Sequence, residues 1–379
     1  MRRACAAKGI DREVAGIIAT FDDDFAKQVA RLRVLHGIDG RRSFLDTEAK
    51  RLGYPPRLLA LYIDRRAQGH DPRIERIGRT VRDRLVSLDR GERSAAQAAE
   101  LPWVGSHVQK SGRAPVAQRT VNVATVDEMR GALAAAEPGQ IILLQPGTYR
   151  VTGTSLEVAR PGSAEAPITL RAAALGLVTL ELAIVEGFHV RAPHWRFENL
   201  DIAGACSDDS SCEHAFHVVG GGSHFTLRNS RISDFNAHVK VNGADGRFPD
   251  HGRIIGSTLV NRRPRATDNP VTPIDMVAAS DWIIAENLIA DFVKAHGDQT
   301  SYGVFAKGAG ERNRFERNVV LCEMRLAGAS GRRVGLSFGG GGSGNTPLCR
   351  DGRCIVEHAQ GVMRANLIAF CSDEGIYLN

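Results

Sequence analysis

From about residue 121 the chain alternates short apolar runs with single turns. Gln140-Ile-Ile-Leu-Leu-Gln145 reads as a strand. Pro146-Gly147 turns the chain, and Thr148–Val151 resumes an extended run. Pro167–Arg171 and Val178–Leu182 follow as further strands. Ahead of them, Thr125-Val-Asp-Glu128 is a capping box, in which the Thr hydroxyl serves the helix backbone and Glu128 reaches back. It predicts a helix of about ten residues running to Ala136, ended by Pro138-Gly139. A helix followed by short strands joined by single turns is the pattern of a capped solenoid.

An internal repeat carries the strongest signal. An apolar pair, two polar residues with Asn second, and an alternating apolar run recur through Trp195–Ile202, Phe225–Ile232, a degenerate Arg253–Val260, Trp282–Ile289, Phe315–Val320 and Met363–Ile368. The steps between Asn199, Asn229, Asn287, Asn318 and Asn366 are 30, 58, 31 and 48 residues. A unit near 30 residues fits one coil of three short strands, and each coil buries its apolar face only by stacking on its neighbours. The fold class expected is all-β, a right-handed parallel β-helix. The Asn corner suits a left-handed turn residue and a ladder of stacked amides. A second strand recurs at Ala215–Gly220, His238–Gly243, Tyr302–Gly308, Val334–Gly339 and Glu374–Asn379. Stacking puts Lys307 in register with Gly339 and Asn379, near the level of Lys240 and His217.

The texture before residue 121 differs. Residues 1–95 read as a small α-helical segment of unreadable role, with breaks at Gly53-Tyr-Pro-Pro56 and Gly69-His-Asp-Pro72. Residues 96–120 read as a linker, and 121–379 as the β-helix. The formal net charge of +6 is unevenly spread. Residues 1–119 hold 24 Lys and Arg against 15 Asp and Glu, which leaves the remainder slightly acidic. A basic segment can attract nucleic acid or an acidic polysaccharide, but a solvated Arg-rich helical face is the more ordinary reading, and nucleic acid is not the expected partner.

Seven cysteines include two close pairs, Cys206 with Cys212 and Cys349 with Cys354, each bracketing a polar turn. They read as disulfides pinning loops, which implies a periplasmic or secreted protein; the odd total leaves at least one thiol free. No apolar secretory core follows Met1, and no apolar run is long enough to cross a membrane. The disagreement between cysteines and leader leaves two readings, a start internal to a longer gene or thiols kept reduced in the cytoplasm. A last strand ending at Asn379 gives the expectation of a truncated product or of a partner that caps the end.

The segment Val126–Tyr149, with Ala136-Glu-Pro-Gly-Gln-Ile-Ile-Leu-Leu-Gln-Pro-Gly-Thr-Tyr149, followed by Gly162–Arg171, resembles the opening of the chondroitinase B and alginate lyases of the sixth polysaccharide lyase family. The resemblance covers roughly residues 121–205 and implies the pectate lyase-like solenoid. It also implies β-elimination on a uronate-containing glycan, with calcium offsetting the uronate carboxylate, a Lys taking the C5 proton and an Arg assisting the leaving oxygen. Lys307, in Phe305-Ala-Lys-Gly308, falls where the family places its base. The family's Arg strand reads Leu336-Ser-Phe-Gly339 here, which leaves Arg332 and, by preference, Arg333 just upstream as substitutes. Gln299-Thr-Ser-Tyr302 stands where the acidic pair is expected, with Asp298 alone nearby.

The candidate catalytic set is therefore Lys307, Arg333 and Lys240. His217, His296, Asp298, Arg350 and His358 are candidate contacts to an acidic polysaccharide, the last two from an insertion stapled by Cys349 and Cys354. Two rival readings are a non-catalytic glycan-binding β-helix, favoured by the missing acidic pair and Arg, and a uronate C5-epimerase sharing the same proton abstraction.

Overall fold

The structure is a computed structural model that describes residues 119–326, 328–344 and 348–379. They belong to a compact unit, Gln109–Asn379. The helices expected in residues 1–95, nearly all of the linker and Cys5 lie outside the described residues.

The regular structure of this unit is nearly all strand, wound into three long parallel sheets with one further two-stranded pair. Each coil contributes one strand to each sheet in turn. Sheet I holds nine strands, from Thr120–Val123 to Val362–Arg364. Sheet II holds eight, from Gly147–Thr152 to Leu367–Ala369. Sheet III holds eight, from Leu156–Val158 to Ile376–Leu378. Parallel pairing in every sheet, with sequence neighbours in different sheets, defines a parallel β-helix. Its crossovers follow the usual right-handed rule for parallel strands.

The repeat exists because alternate side chains turn inward and stack on those of the next coil. Phe188 and Phe216 stack at 5.0 Å between ring centroids, and Phe197 lies 4.9 Å from Phe216. All three are fully buried. At the N-terminal end the capping box forms as expected on Thr125 and Glu128, and the helix Val126–Ala134 buries Met129 and Leu133. The helix thus covers apolar surface that the first coil leaves open. Where coils turn into sheet III they approach closely, and a side-chain carbon at Gly335 would lie 2.4 Å from the carbonyl oxygen of Gly375.

The corner between sheets I and II differs from the sequence reading by one position. Asn199 and Asn229 have positive φ as expected, and Asn229 donates to Asn199 at 2.7 Å. In later coils the left-handed position is held by Gly256, Glu286, Arg317 and Ala365. Asn287, Asn318 and Asn366 sit one residue further on, stacked over Ser230 and Ser257. There each side chain accepts from the backbone N–H of the coil before it: Ser257 from Ser230, Asn287 from Ser257, Asn318 from Asn287 and Asn366 from Asn318. The motif looked continuous because both positions favour Asn, one for its backbone and one for its amide.

Three disulfides are present among the described residues. Cys206–Cys212 and Cys349–Cys354 pair as expected. Cys322–Cys371 joins residues 49 apart in sequence. It forms because Leu321 and Ala369 are partners in adjacent strands of sheet II. No described helix is long and apolar enough to cross a membrane.

Candidate functional site

The outer face of sheet III gathers three of the candidate residues, His217, Lys240 and Lys307. Strand register builds one outward column from Glu157, His189, His217, Lys240, Asp275, Phe305, Ser337 and Tyr377. Lys307 pairs with Val277, two residues further along its strand than Phe305. Lys240 and Lys307 therefore flank the Asp275 strand from either side, with Cα atoms roughly 12 Å apart by strand spacing.

Lys240 donates to Asp275 at 2.8 Å, and Asp275 is buried. The other Asp275 oxygen, Oδ1, is buried without a hydrogen-bond donor. Lys307 lies over the Phe305 ring, 4.7 Å from its centroid, and donates to the Gly342 carbonyl at 3.1 Å. Burial pushes its pKa below the ordinary lysine value. Lys240 lowers it further, while Asp275 and Glu357 oppose the shift. A lysine so placed is more readily neutral, as a proton acceptor must be.

The insertion after Gly339 packs on the end of the Lys307 strand. The Gly308 N–H donates to Glu357 Oε2 at 2.9 Å, and the Arg350 N–H donates to the Gly308 carbonyl at 2.9 Å. Burial would raise the Glu357 pKa, but hydrogen bonds from Ser343 and Gly308, aided by Lys307, hold it below its ordinary value. Glycine suits this insertion, since Gly340 has φ 55° and lies against Phe305 and Lys307.

The remaining candidates separate. Arg333 is not brought to the column. It is 1% exposed, and its guanidinium bonds Glu323 and the carbonyls of Ala329 and Ser330. It pairs in register with Ser301, six residues before Lys307, or about 20 Å along the strand. His296 and Asp298 lie in the turn before that same strand, at the far end from Lys307, and Asp298 is held by Lys294 at 2.7 Å. Arg350 is a strut: it grips both oxygens of Asp250 at 2.6 and 2.8 Å, bonds Ser280 and rests on the Phe248 ring. His358 stacks on Phe338 with centroids 4.1 Å apart, and burial lowers its pKa to about 4. His217 does lie in the column, bonded to Glu186 at 2.7 Å and Asn242 at 2.8 Å. Asp275, Phe305, Glu186 and His189 were not singled out from sequence. A signal for the last two was present: Glu186 and His189, like His214 and His217, are spaced three apart, and the two pairs are 28 residues apart.

The calcium implied by the family resemblance does not suit the donors around Lys307. Calcium takes about six to eight oxygens. Asp275 offers one oxygen beside an ammonium already bound to it, and Glu357 spends both oxygens on Ser343 and Gly308.

No protein-family model matches the chain. It is 28% identical over 187 residues to pectate lyase L of Dickeya dadantii (strain 3937), covering 41% of this chain and 43% of that enzyme. It is 27% identical over 187 residues to pectate lyase L of Dickeya chrysanthemi, with the same shares of the two chains. The chain thus spans less than half the length of these curated relatives. Among solved structures, pectate lyase Pel9A superposes with a TM-score of 0.43 at 15% identity, over 58% of this chain and 61% of that one. An alginate lyase from Paenibacillus sp. str. FPU-7 gives 0.40 at 17% identity, over 69% of this chain and 98% of that one.

Proposed function

We propose that the outer face of sheet III binds a uronate-containing polysaccharide and cleaves it by β-elimination, with Lys307 as the base. The observation that carries this reading is the partly buried Lys307 with a lowered pKa, beside a second lysine on a continuous strand face. The lyase relatives support the reaction class. The neutral amine takes the C5 proton. The electron pair forms the C4–C5 double bond as the C4–oxygen bond breaks. The ammonium just formed at Lys307 is then the nearest proton donor to the leaving oxygen. Lys240 supplies positive charge for the uronate carboxylate, which must be offset before the C5 proton becomes acidic. Asp275 holds that ammonium in place. Arg333 has no part in this scheme, because its guanidinium is committed elsewhere. The three disulfides accord with an extracellular or periplasmic setting.

The test is incubation of the folded chain with alginate, pectate, chondroitin and a heparinoid, following ultraviolet absorbance of the unsaturated uronate. Exchange of the C5 hydrogen with solvent but no rise in absorbance would instead identify an epimerase. Retention of glycan with neither change would identify a binding protein.

A further inference from the structure

Further along the same face, toward the N-terminal coils, lies a group that the proposed elimination does not use. Ligand atoms of Glu186, His189 and His217 all fall within 4.8 Å of one another. His189 and His217 are register partners on adjacent strands. Glu186 begins the strand that carries His189. His214 lies alongside, its Nδ1 3.6 Å from the same Glu186 oxygen that His217 touches. That His214 nitrogen is buried and has no hydrogen-bond partner.

We propose that Glu186, His189 and His217 bind a divalent transition metal ion of the zinc type, with His214 beside them on the same face. His217 makes the case. Its Nδ1 faces Glu186 Oε1 at 2.7 Å and its Nε2 faces Asn242 Oδ1 at 2.8 Å. The orientation of Asn242 is set by its own amide, which donates to the Gly243 carbonyl at 3.0 Å. The ring thus meets an acceptor oxygen on both sides, and a neutral imidazole carries a single N–H. Either the ring carries two protons, or a metal ion takes the place of the one on Nδ1.

The outer partners favour the metal. Asn242 Oδ1 can only accept, which favours the His217 tautomer with its N–H on Nε2, and Glu157 lies 3.1 Å from His189 Nδ1. An oxygen on one ring nitrogen fixes the tautomer and leaves the other nitrogen's lone pair for a metal. Imidazoles with one carboxylate suit zinc, whereas calcium and magnesium prefer oxygens alone. Tetrahedral zinc separates neighbouring ligand atoms by about 3.3 Å, so Glu186 would swing slightly from His217 to admit it. The other clustered donors, Cys349, Asp351 and Cys354, form no such site, because the two sulfurs are joined in a disulfide. The proposal stands whether or not the face cleaves glycan, and it would place a dication one strand from Lys240.

The test strips the full-length chain with a chelator and titrates it with zinc against a chromogenic competitor. Cobalt(II) absorption reads the ligand set of the wild type directly. One zinc per chain and a cobalt spectrum of nitrogen and oxygen ligands are expected. Glu186→Gln and His189→Ala, shown folded by circular dichroism, lose that equivalent. Asn242→Ala weakens binding by roughly 10- to 100-fold. Absence of saturable binding at micromolar zinc would overturn the proposal. So would unchanged stoichiometry and affinity in both Glu186→Gln and His189→Ala, which would put the metal elsewhere on the chain.

Discussion

Asp275 holds the ammonium of Lys240 at 2.8 Å with one carboxylate oxygen and buries the other without a donor. Its strand also pairs with that of Lys307, and its charge keeps the Lys307 pKa from falling further. Removing that charge in Asp275→Asn is expected to shift the rising limb of the pH–rate profile to lower pH, because Lys307 then loses its proton more readily. A purely structural role for Asp275 would instead lower the rate equally at every pH. The pH profile of both proteins decides between them.

His358 and His238 make stability depend on pH. Burial lowers each pKa to about 4. For His358 the geometry agrees, since the Asn313 amide nitrogen faces its Nε2 at 3.1 Å, and that same amide donates to the Ala279 carbonyl. Nε2 must therefore accept, and the ring is neutral. The unfolded chain takes up these protons at the ordinary histidine value near 6.5. Stability is expected to fall as pH drops from about 6.5 to about 4, by on the order of 3 kcal/mol per histidine, and to level off below. Urea unfolding across this range measures it, and His358→Phe should remove one share of the loss.

The inner amide ladder carries a separate expectation. Asn318 accepts from the backbone and side chain of Asn287, and its own amide donates to the Ile284 carbonyl. Asn318→Ala leaves these buried groups unpaired, at a cost of about 1–3 kcal/mol each before relaxation. Asn229→Ala, at the partly exposed outer corner, removes one bond to Asn199 and imposes positive φ on alanine. It is expected to cost less, and paired denaturation curves would show whether the buried position dominates.

The fold was legible because the inward apolar alternation repeats with every coil, and the capping box marks the first helix without tertiary context. The register of Lys307 against Gly339 and Asn379 could also be read, since all three end strands of one recurrent motif. What sequence could not supply was the exact stacking of coils with unequal insertions. Asn199 and Asn287 look equivalent in the motif, yet Asn199 stacks beneath Asn229 and Asn287 beneath Asn318 one residue inward. Arg333 looked close to the site because it lies near Leu336 in sequence, but an extended strand carries it far from Lys307. The His214 and His217 pair became meaningful only once register laid it over Glu186 and His189.

Cys322–Cys371 depends on the same stacking. By the chain-entropy argument, a link between residues 49 apart in sequence is worth roughly 4 kcal/mol. Cys371→Ser is expected to lower the thermal midpoint and loosen the last coil first, which hydrogen exchange at Leu367–Ala369 against Ile141–Leu144 would show. Equal loss of protection in both strands would contradict a local role.

The central claim is that neutral Lys307 takes the C5 proton of a uronate on the outer face of sheet III. Its most direct test is ultraviolet absorbance on acidic glycans for wild type, Lys307→Ala and Lys307→Arg. The account predicts a rise with at least one glycan, lost by about a hundred- to ten-thousand-fold in Lys307→Ala. It predicts no recovery in Lys307→Arg, because a guanidinium does not give up its proton. Undiminished elimination in folded Lys307→Ala would contradict it.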